Sequence, residues 1–345
     1  MKKIAVILTY FIITNCLFGQ SINYVLLDSA ITKGDKIIST DSRVFFKNVE
    51  SVIIWADNKI LFEKYYHNYN GDSLHRIQSQ TKSIVSLLLG IAIDKGYIKN
   101  EDDFVKNYFP EYFDPKDKIK SKLTIKHLLS MSAGFEWEEM IPFENPDNDN
   151  RKMFQSGRWL DYIFSRPVIV EPFTEFKYNS GYPIIIARTI EKASGLTLDK
   201  FAEQHLFKPL GINEYFWLKD STGLCHAGGG LSMKPIDILK IGVMVLNKGK
   251  WNGDQIISEN WIAKSVEPYF KTSFDIGEYG YFWWIREMKL KNGKTTKVIS
   301  AEGAGGQKVY IFPQYQIVAA FTERNYTTPQ VGTIFIRESI LPVLE

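Results

Sequence analysis

The chain has 345 residues, of which 45% are hydrophobic and 14% aromatic, and its formal net charge is +3. This composition supplies ample apolar material for a large core and excludes a disordered or fibrous chain. The charge is close to neutral and no basic run with interleaved aromatic residues occurs, so a nucleic-acid partner is not expected. At this length a single core usually stops growing, and two lobes are predicted.

The N-terminus has the charged, apolar, polar order of a secretory leader. Two lysines precede an apolar run over residues 4–13, which is too short to span a bilayer, and polar residues follow up to Gln20. Residues 1–20 are therefore predicted to be the signal peptide of an exported, periplasmic or extracellular protein. Cleavage after Gln20 is the preferred interpretation. The alternative is lipidation at Cys16, which stands in an imperfect lipoprotein box.

After the leader, runs of β-branched and aromatic residues at 51–56 and 61–66 flank Asp57-Asn58, a pair that tolerates left-handed turn geometry. They predict a β-hairpin. Behind Ser79, apolar residues recur at helical spacing on nearly all sides and predict a buried helix. Further helices are predicted at 125–130, 183–193 and 236–246.

The C-terminal part of the chain returns to strand patterns. Strands are predicted at 279–284, 297–300, 307–312 and 316–322. Strands at both ends of the chain favour one shared antiparallel sheet, with the helical middle as an insertion. The predicted fold class is α+β, with an α/β sheet domain formed by residues 21–80 and 225–345 and an inserted, mainly helical domain of residues 81–224.

Aromatic residues cluster in the first of these C-terminal strands. Strand alternation would put Tyr279, Tyr281 and Trp283 on one face and Trp284 on the other. Part of this set could line a cleft as an aromatic wall. Core packing is the favoured interpretation for each residue taken singly.

Ser79-Gln80-Thr81-Lys82 is a Ser-x-x-Lys run at the start of the buried helix. A serine hydroxyl needs an adjacent base to act as a nucleophile. Three residues along a helix bring Ser79 and Lys82 onto one face, with Cβ atoms about 5 to 6 Å apart. Burial lowers the pKa of a lysine, so that a neutral amine can accept the serine proton. The spacing alone also occurs by chance, and the apolar helix behind it is what favours catalysis.

Two further runs carry candidate groups. Tyr178-Asn179-Ser180 precedes a predicted helix, and a cationic lysine nearby would stabilise the phenolate of Tyr178 for proton transfer. The glycine-rich run 301–307 leads into a strand, where backbone N–H groups can face an oxyanion. Each run has a structural alternative, a packed tyrosine ring in the first case and a hairpin turn in the second.

In this order, the three runs resemble the serine β-lactamase and penicillin-binding-protein superfamily, in particular its class C and β-lactamase-related hydrolase branch. The resemblance covers about residues 45–325 and extends to further phrases at 123–134, 206–212, 228–231 and 251–253. It implies an antiparallel sheet flanked by terminal helices near 23–38 and 329–344. The active site would lie between this sheet and the inserted helical domain.

By this resemblance Ser79 is the acylated nucleophile, Lys82 its base and Tyr178 the partner of both that later activates water. Ser180 stands where many relatives carry the asparagine of a Tyr-x-Asn motif. The backbone N–H groups of Ser79 and Ala304 would form the oxyanion hole. The resemblance implies a substrate-binding set of Ser180, Glu302, Gly303, Ala304 and Gly305.

One departure from the family pattern bears on the substrate. Where family β-lactamases and peptidases carry Lys-Thr-Gly or His-x-Gly, this chain has Ala301-Glu302-Gly303, and an acid there should repel a substrate carboxylate. The Tyr178-Asn179-Ser180 and Gly305-Gly306-Gln307 variants resemble more closely the family's esterases and linear-amide hydrolases, such as those similar to 6-aminohexanoate-dimer hydrolase. The expected substrate is a small ester, amide or peptide. Alternatives are a D-Ala-D-Ala carboxypeptidase or β-lactamase, and a non-catalytic module that senses peptidoglycan or β-lactams.

Other hydrolase classes lack their sequence signals. The five histidines show no close metal-binding spacing, so neither a metal nor another cofactor is expected. No Gly-x-Ser-x-Gly run marks an α/β-hydrolase. Beyond the leader the remaining cysteine is Cys225, which excludes an internal disulfide and is interpreted as a small buried residue rather than a catalytic thiol.

Overall fold

The computed structural model describes residues 22–272 and 277–344. The predicted signal peptide and Cys16 lie outside these residues. No helix in the described ranges combines the length and the apolar character needed to cross a membrane. The helices are α1 (Tyr24–Thr40), α2 (Gln80–Asp94), α3 (Ile125–Leu129), α4 (Asp149–Ser156), α5 (Trp159–Ser165), α6 (Tyr182–Ser194), α7 (Leu198–Ala202), α8 (Pro235–Leu246), α9 (Glu259–Ser265) and α10 (Val331–Phe335).

The strands match most of the predicted pattern, with longer bounds for several of them. They are β1 (Val49–Ala56), β2 (Lys59–Tyr65), β3 (His75–Arg76), β4 (Tyr215–Trp217), β5 (Leu231–Met233), β6 (Lys250–Trp251), β7 (Asp254–Gln255), β8 (Phe270–Lys271), β9 (Glu278–Tyr279), β10 (Trp284–Lys289), β11 (Thr295–Gly303), β12 (Gln307–Phe312) and β13 (Ile317–Glu323).

The main sheet joins both ends of the chain. Among the described residues it has eight strands in the order β2-β1-β13-β12-β11-β10-β9-β8, and each neighbouring pair is antiparallel. Asp57 and Asn58 connect β1 to β2 with φ of 52° and 56°, the left-handed geometry that a tight hairpin turn requires. The predicted α+β class with an antiparallel sheet is confirmed.

Alternation along the central strands buries both faces of this sheet. In β13, Ile317, Ala319 and Phe321 belong to a core shared with α1 and the C-terminal helices. Val318 and Ala320, which alternate with them, belong to the larger core that includes α8 and α2. The sheet is thus the middle layer between the terminal helices and the helical part of the chain, because a two-residue period sends successive side chains to opposite faces.

Helix α2 is the central element of the helical part. Its residues 80–92 are all buried, as the apolar pattern predicted, and it packs against α6, α9 and β11. The short sheet β3-β5-β4 leads the chain into this helix, and the Ile77 N–H donates to the Leu231 carbonyl at 3.0 Å. The start of α2 is therefore held between the main sheet and the smaller one.

The strand predicted at 279–284 is wrong. Residues 280–283 form a tight turn between β9 and β10, in which Phe282 has a φ of 64° and the Gly280 N–H donates to the Trp283 carbonyl at 2.8 Å. Tyr279 and Trp284 consequently face each other as a cross-strand pair. The alternation of side chains between two faces holds along a strand but not across a turn. The prediction that Tyr279, Tyr281 and Trp283 share one face is therefore also wrong.

The division into domains stays a prediction. Residues 81–224 contain α3 to α7 and no strand of the main sheet within the described residues, as expected of an inserted helical domain. Helix α2, however, begins at Gln80, just before this range, and contacts β11. In addition, β4 pairs with β5 across the other proposed boundary. The two parts share one continuous core.

Gly90 in α2 tests how tightly this core is packed. A Cβ atom at Gly90 would overlap the Trp261 ring, which is 3% exposed and donates through Nε1 to the Ser86 carbonyl. Alanine should favour the helix by about 1 kcal/mol, but overpacking should cost about 1–3 kcal/mol. We expect Gly90→Ala to lower the urea unfolding midpoint, and the loss to shrink in a Trp261→Leu background. Equal losses in both backgrounds would contradict the close contact.

Candidate active site

Ser79 lies at the N-terminal end of α2 on the floor of a cavity of about 850 Å³. The residue before it, Gln78, has a φ of 50°, so the chain turns sharply between Ile77 and the helix. A left-handed conformation costs a non-glycine residue roughly 1–2 kcal/mol. The turn presents the Ser79 hydroxyl to the cavity while its backbone enters the buried helix.

Lys82 lies directly behind the serine. Its side chain is 1% exposed, and its Nζ donates to Ser79 Oγ at 2.8 Å and to the Gly228 carbonyl at 2.5 Å. Burial lowers the pKa of Lys82 to about 8, and the negative charge of Glu139 opposes this shift. Roughly a tenth of such a lysine is neutral at pH 7. The amine can therefore accept a proton from Ser79 near neutral pH.

Gly228 makes the contact with Lys82 possible. A Cβ atom at this position would lie 2.5 Å from the Ser180 carbonyl oxygen. A residue with a side chain would push apart the two segments that meet here. The glycine lets its own carbonyl reach the buried amine.

Tyr178 completes the group around the nucleophile. Lys82 Nζ lies 4.9 Å from the centre of the Tyr178 ring, which stacks on Trp284 at a centroid distance of 6.3 Å. Burial and the charge of Glu139 raise the pKa of Tyr178 well above its usual range, although a hydrogen bond with Ser79 acts in the opposite direction. Burial therefore favours the neutral phenol over the phenolate that a cationic lysine was expected to stabilise.

Glu139 is a site residue that the sequence did not indicate. It accepts hydrogen bonds from the Ser180 N–H at 2.7 Å, from the Ser180 hydroxyl at 2.7 Å and from Trp137 Nε1 at 2.6 Å. Its carboxylate therefore fixes Ser180 at the cavity wall. The partners lie 41 residues apart in the chain, and no local motif marks the pair.

Two backbone N–H groups at the cavity have no hydrogen-bond partner among the described residues. Within the described residues, neither the Ser79 N–H nor the Ala304 N–H donates a hydrogen bond, and both residues line the cavity. Gly303 brings the end of β11 against this loop, since a Cβ atom there would overlap the Ile77 carbonyl oxygen. Gly305, in contrast, does not line the cavity, and its carbonyl accepts from the Asn325 N–H at 2.8 Å.

Glu302 lines the cavity as part of a charged cluster. The motif around it contains no cation, but the fold brings two to its carboxylate: Arg286 at 2.5 Å and Lys308 at 2.6 Å. The Ser300 hydroxyl also donates to Glu302, at 2.7 Å. Burial opposes ionisation, yet the charges of Lys308 and Arg286 lower the pKa of Glu302 to about 2. The negative charge that was expected to repel a substrate carboxylate is therefore largely compensated.

The structure brings most of the predicted site residues together. Lys82 lies beneath the cavity, and the other predicted residues that line it are Ser79, Tyr178, Ser180, Glu302, Gly303 and Ala304. Trp284 supplies the aromatic wall, whereas Tyr279, Tyr281 and Trp283 do not line the cavity.

No group of three potential metal ligands occurs in the part of the chain that the structure describes. Cys225 is buried, and burial raises the pKa of its thiol to about 12. A thiol with such a high pKa is a poor nucleophile at neutral pH. Its interpretation as a buried structural residue agrees with this environment.

The antiparallel fold and the serine–lysine–tyrosine group define a serine hydrolase. The sequence profile of the Beta-lactamase family matches residues 48–338, and the chain belongs to this family.

Individual relatives are distant. The chain is 22% identical over 285 residues to 6-aminohexanoate-dimer hydrolase of Paenarthrobacter ureafaciens, an alignment that covers 77% of this chain and 70% of the relative. It is 24% identical to Beta-lactamase-like protein 2 of Dictyostelium discoideum, covering 79% of this chain but only 47% of that protein. The structure of EstCE1, described as a hydrolase with promiscuous acyltransferase activity, superposes with a TM-score of 0.73 at 14% identity, covering 91% of this chain and 99% of EstCE1.

The charge of Glu139 should set the pH at which Ser79 becomes reactive. The pKa of Lys82 is about 8, and Glu139 raises it. We expect labelling of Ser79 by a fluorophosphonate probe to accelerate as the pH rises through about 8. In Glu139→Gln the rise should move to lower pH by about one unit, because a nearby charge that favours the ammonium is removed.

The matched control is Glu138→Gln, since Glu138 is the exposed neighbour of Glu139 and does not line the cavity. Its labelling profile should coincide with that of the unmodified chain. If the pH dependence of Ser79 labelling is the same in Glu139→Gln as in the unmodified chain, Glu139 does not govern the ionisation of Lys82.

Proposed function

We propose that this protein hydrolyses small esters and linear amides through an acyl-enzyme formed on Ser79. One observation carries the proposal: a lysine that is 1% exposed holds its Nζ 2.8 Å from the Ser79 hydroxyl. A buried amine with a lowered pKa is a suitable general base, and a serine beside such a base is an activated nucleophile.

In the proposed acylation step, neutral Lys82 takes the hydroxyl proton while Ser79 Oγ bonds to the substrate carbonyl carbon. The carbonyl oxygen becomes an oxyanion, stabilised by the N–H groups of Ser79 and Ala304. The scissile bond then breaks, and the leaving group receives a proton from Tyr178, which Lys82 replenishes. A water molecule attacks the acyl-enzyme by the same route in reverse and restores the Ser79 hydroxyl.

The neutral phenol of Tyr178 supports this assignment of roles. An acid with a high pKa protonates a strongly basic leaving group such as an alkoxide or an amine anion. Its ring centre lies 4.9 Å from Lys82 Nζ, and its side chain hydrogen-bonds to Ser79, so Tyr178 and Lys82 both adjoin the nucleophile. Ser180, held by Glu139, lies on the same wall and is the proposed hydrogen-bond partner of the substrate.

The charged cluster at Glu302 is an argument for substrates that carry no carboxylate. Arg286 and Lys308 bond to the Glu302 carboxylate, so neither cation is available as a free partner for a substrate carboxylate. β-Lactams and D-Ala-D-Ala peptides carry such a carboxylate. Esters and linear amides without one lose nothing at this position. The likeness to 6-aminohexanoate-dimer hydrolase, whose name denotes a linear amide as substrate, supports linear amides among the substrates.

Export is the second part of the proposal, and it rests on residues 1–20 alone. The charged, apolar, polar order of this segment is that of a signal peptide. A hydrolase exported in this way would meet its substrates outside the cytoplasm, either free in the periplasm or, if Cys16 is lipidated, at a membrane surface.

Replacing the proposed catalytic groups should abolish turnover of p-nitrophenyl butyrate. We expect a loss in kcat of about 10³-fold or more for Ser79→Ala and about 10²- to 10⁴-fold for Lys82→Ala. Matched controls are Ser83→Ala in α2 and Lys95→Ala directly after it; neither residue lines the cavity, and both variants should retain activity. Full activity of Ser79→Ala, or a fluorophosphonate label on another residue, would refute the acyl-enzyme.

Esters should be better substrates than β-lactams. The carboxylate of nitrocefin finds no free cation at the Glu302 cluster and so lacks one charged hydrogen bond. We therefore expect kcat/KM to be roughly 10- to 100-fold lower for nitrocefin than for p-nitrophenyl butyrate. Steady-state spectrophotometry of both reactions measures this ratio. Faster nitrocefin cleavage would favour a β-lactamase instead. A single stoichiometric burst with the ester, without further turnover, would identify a sensor module rather than an enzyme.

A further inference from the structure

One wall of the active-site cavity carries a buried histidine that the proposed reaction does not use. His226 lines the cavity, is 3% exposed and packs between Phe154 and Trp159, with ring centroids 4.8 Å and 4.9 Å away. Neither ring nitrogen forms a hydrogen bond to another described residue. Buried polar atoms nearly always have partners, so a bare imidazole beside a nucleophile calls for an explanation.

Asn150 adds a second unpaired group to the same wall. Its Oδ1 atom is buried without a hydrogen bond to any described residue, and the residue lines the cavity. Asn150 and Phe154 are four residues apart in α4 and share one helix face. Since Phe154 packs on His226, the two unpaired groups flank one aromatic ring. By comparison, the nearby Asn148 amide donates to the carbonyls of Glu139 and Ile141.

The electrostatics of this wall limit what can bind there. Burial and the positive charges of Lys82 and Arg76 lower the pKa of His226 to about 3, so the imidazole is neutral. A neutral imidazole offers one N–H donor and one acceptor nitrogen, and Asn150 Oδ1 offers an acceptor. A cation would be repelled by the same charges. A carboxylate only accepts hydrogen bonds and would leave Asn150 Oδ1 and the acceptor nitrogen of the imidazole unpaired. A complementary group must therefore be uncharged and must both donate and accept hydrogen bonds, as a secondary amide does.

The wall that carries His226 is separate from the wall that carries Tyr178, the proposed proton donor for the leaving group. Tyr178 packs on Trp284 and Tyr279. His226 packs on Phe154 and Trp159 instead. If the leaving group departs toward its proton donor, the acyl chain extends along the other wall.

We infer that His226, Asn150 and Phe154 form an acyl-group subsite that binds an uncharged acylamino group carried on the acyl chain of the substrate. This inference rests on the proposed hydrolase activity and specifies its substrate class. The imidazole and the Asn150 carbonyl bond to the amide of the substrate, and the Phe154 ring packs against its flat face. Esters with purely aliphatic acyl chains leave these polar groups unpaired.

Three p-nitrophenyl esters of equal shape test the subsite. The 3-acetamidopropanoate carries an amide donor and acceptor, the 5-oxohexanoate carries the acceptor alone, and the 5-methylhexanoate carries neither. We compare their kcat/KM values after division by the rate of hydroxide-catalysed hydrolysis, which removes differences in intrinsic reactivity. The unmodified enzyme should prefer the acetamido ester to the aliphatic one by roughly tenfold or more, the effect expected of one to two neutral hydrogen bonds.

His226→Phe keeps the ring packing but removes both nitrogens, and Asn150→Ala removes the second acceptor. Either change should bring the preference close to one, because it should lower kcat/KM more for the acetamido ester than for the 5-methylhexanoate. His205→Phe is the matched control, because His205 also packs on a phenylalanine ring, at 4.7 Å from Phe201, but does not line the cavity. An unchanged preference in His226→Phe, or an equal loss for all three esters, would overturn the inference in favour of a bound water or a packing role.

A titration without turnover separates this inference from the proposed function. Ethyl 3-acetamidopropanoate is added to Ser79→Ala, and binding is followed by calorimetry and by the ¹⁵N shifts of His226. We expect binding that is tighter than for ethyl 5-methylhexanoate and that is lost in the Ser79→Ala, His226→Phe double variant. If the enzyme cleaves no ester but the titration succeeds, the hydrolase proposal fails and the binding site stands. If esters are cleaved and the titration shows no preference, the subsite alone fails.

Discussion

The removal of Lys82 from water is the interaction on which the site depends. Lowering its pKa from 10.5 to about 8 corresponds to roughly 3 kcal/mol of lost preference for the ammonium form. That loss is offset because α2 buries apolar side chains all round and anchors the lysine between the sheet and the helical core. The same helix holds Ser79 at its N-terminal end. The helix therefore both destabilises the ammonium form of Lys82 and places the Ser79 hydroxyl where the neutral amine can activate it.

Two carboxylates at the cavity act on this lysine in different ways. Glu302 is bonded to Arg286 and Lys308, so little net negative charge reaches the rest of the cavity from this cluster. Glu139 has no ion pair among the described residues and is held by Ser180 and Trp137 through neutral hydrogen-bond donors. Its charge is therefore uncompensated and opposes the effect of burial on Lys82. The balance between burial and Glu139 places the pKa where general-base catalysis is efficient.

Local patterns predicted the elements that depend on local physics. The hairpin at Asp57, the buried helix behind Ser79 and the glycine end of α6 at Gly195 follow from turn geometry, apolar periodicity and helix termination. The motif order identified the family, which predicted the sheet topology. The single strand predicted from Tyr279 to Trp284 was wrong, because β propensity does not distinguish one strand from two strands joined by a turn.

Contacts between distant residues could not be predicted in this way. Glu139 reaches Ser180 across 41 residues, and the cations that compensate Glu302 come from β10 and β12, the two strands on either side of β11. His226 follows a buried cysteine and precedes three glycines, a context that gives no sign of an unpaired imidazole facing a cavity. Such features depend on which loops meet after folding, and the spacing of residue types along one segment carries no information about them.

Several locally unfavourable features meet at the site. Gln78 adopts a left-handed conformation, Gly228 and Gly303 allow backbone contacts that side chains would prevent, and His226 keeps two nitrogens without a protein partner. Each departure lowers stability, and each persists only because the surrounding sheet and α2 leave the chain no alternative path. Left-handed residues such as Asp57 and Phe282, and close glycine contacts such as that of Gly90, also occur elsewhere in the fold. At this cavity, however, the same features serve the site, because they present the Ser79 hydroxyl and the unpaired nitrogens of His226 to one space.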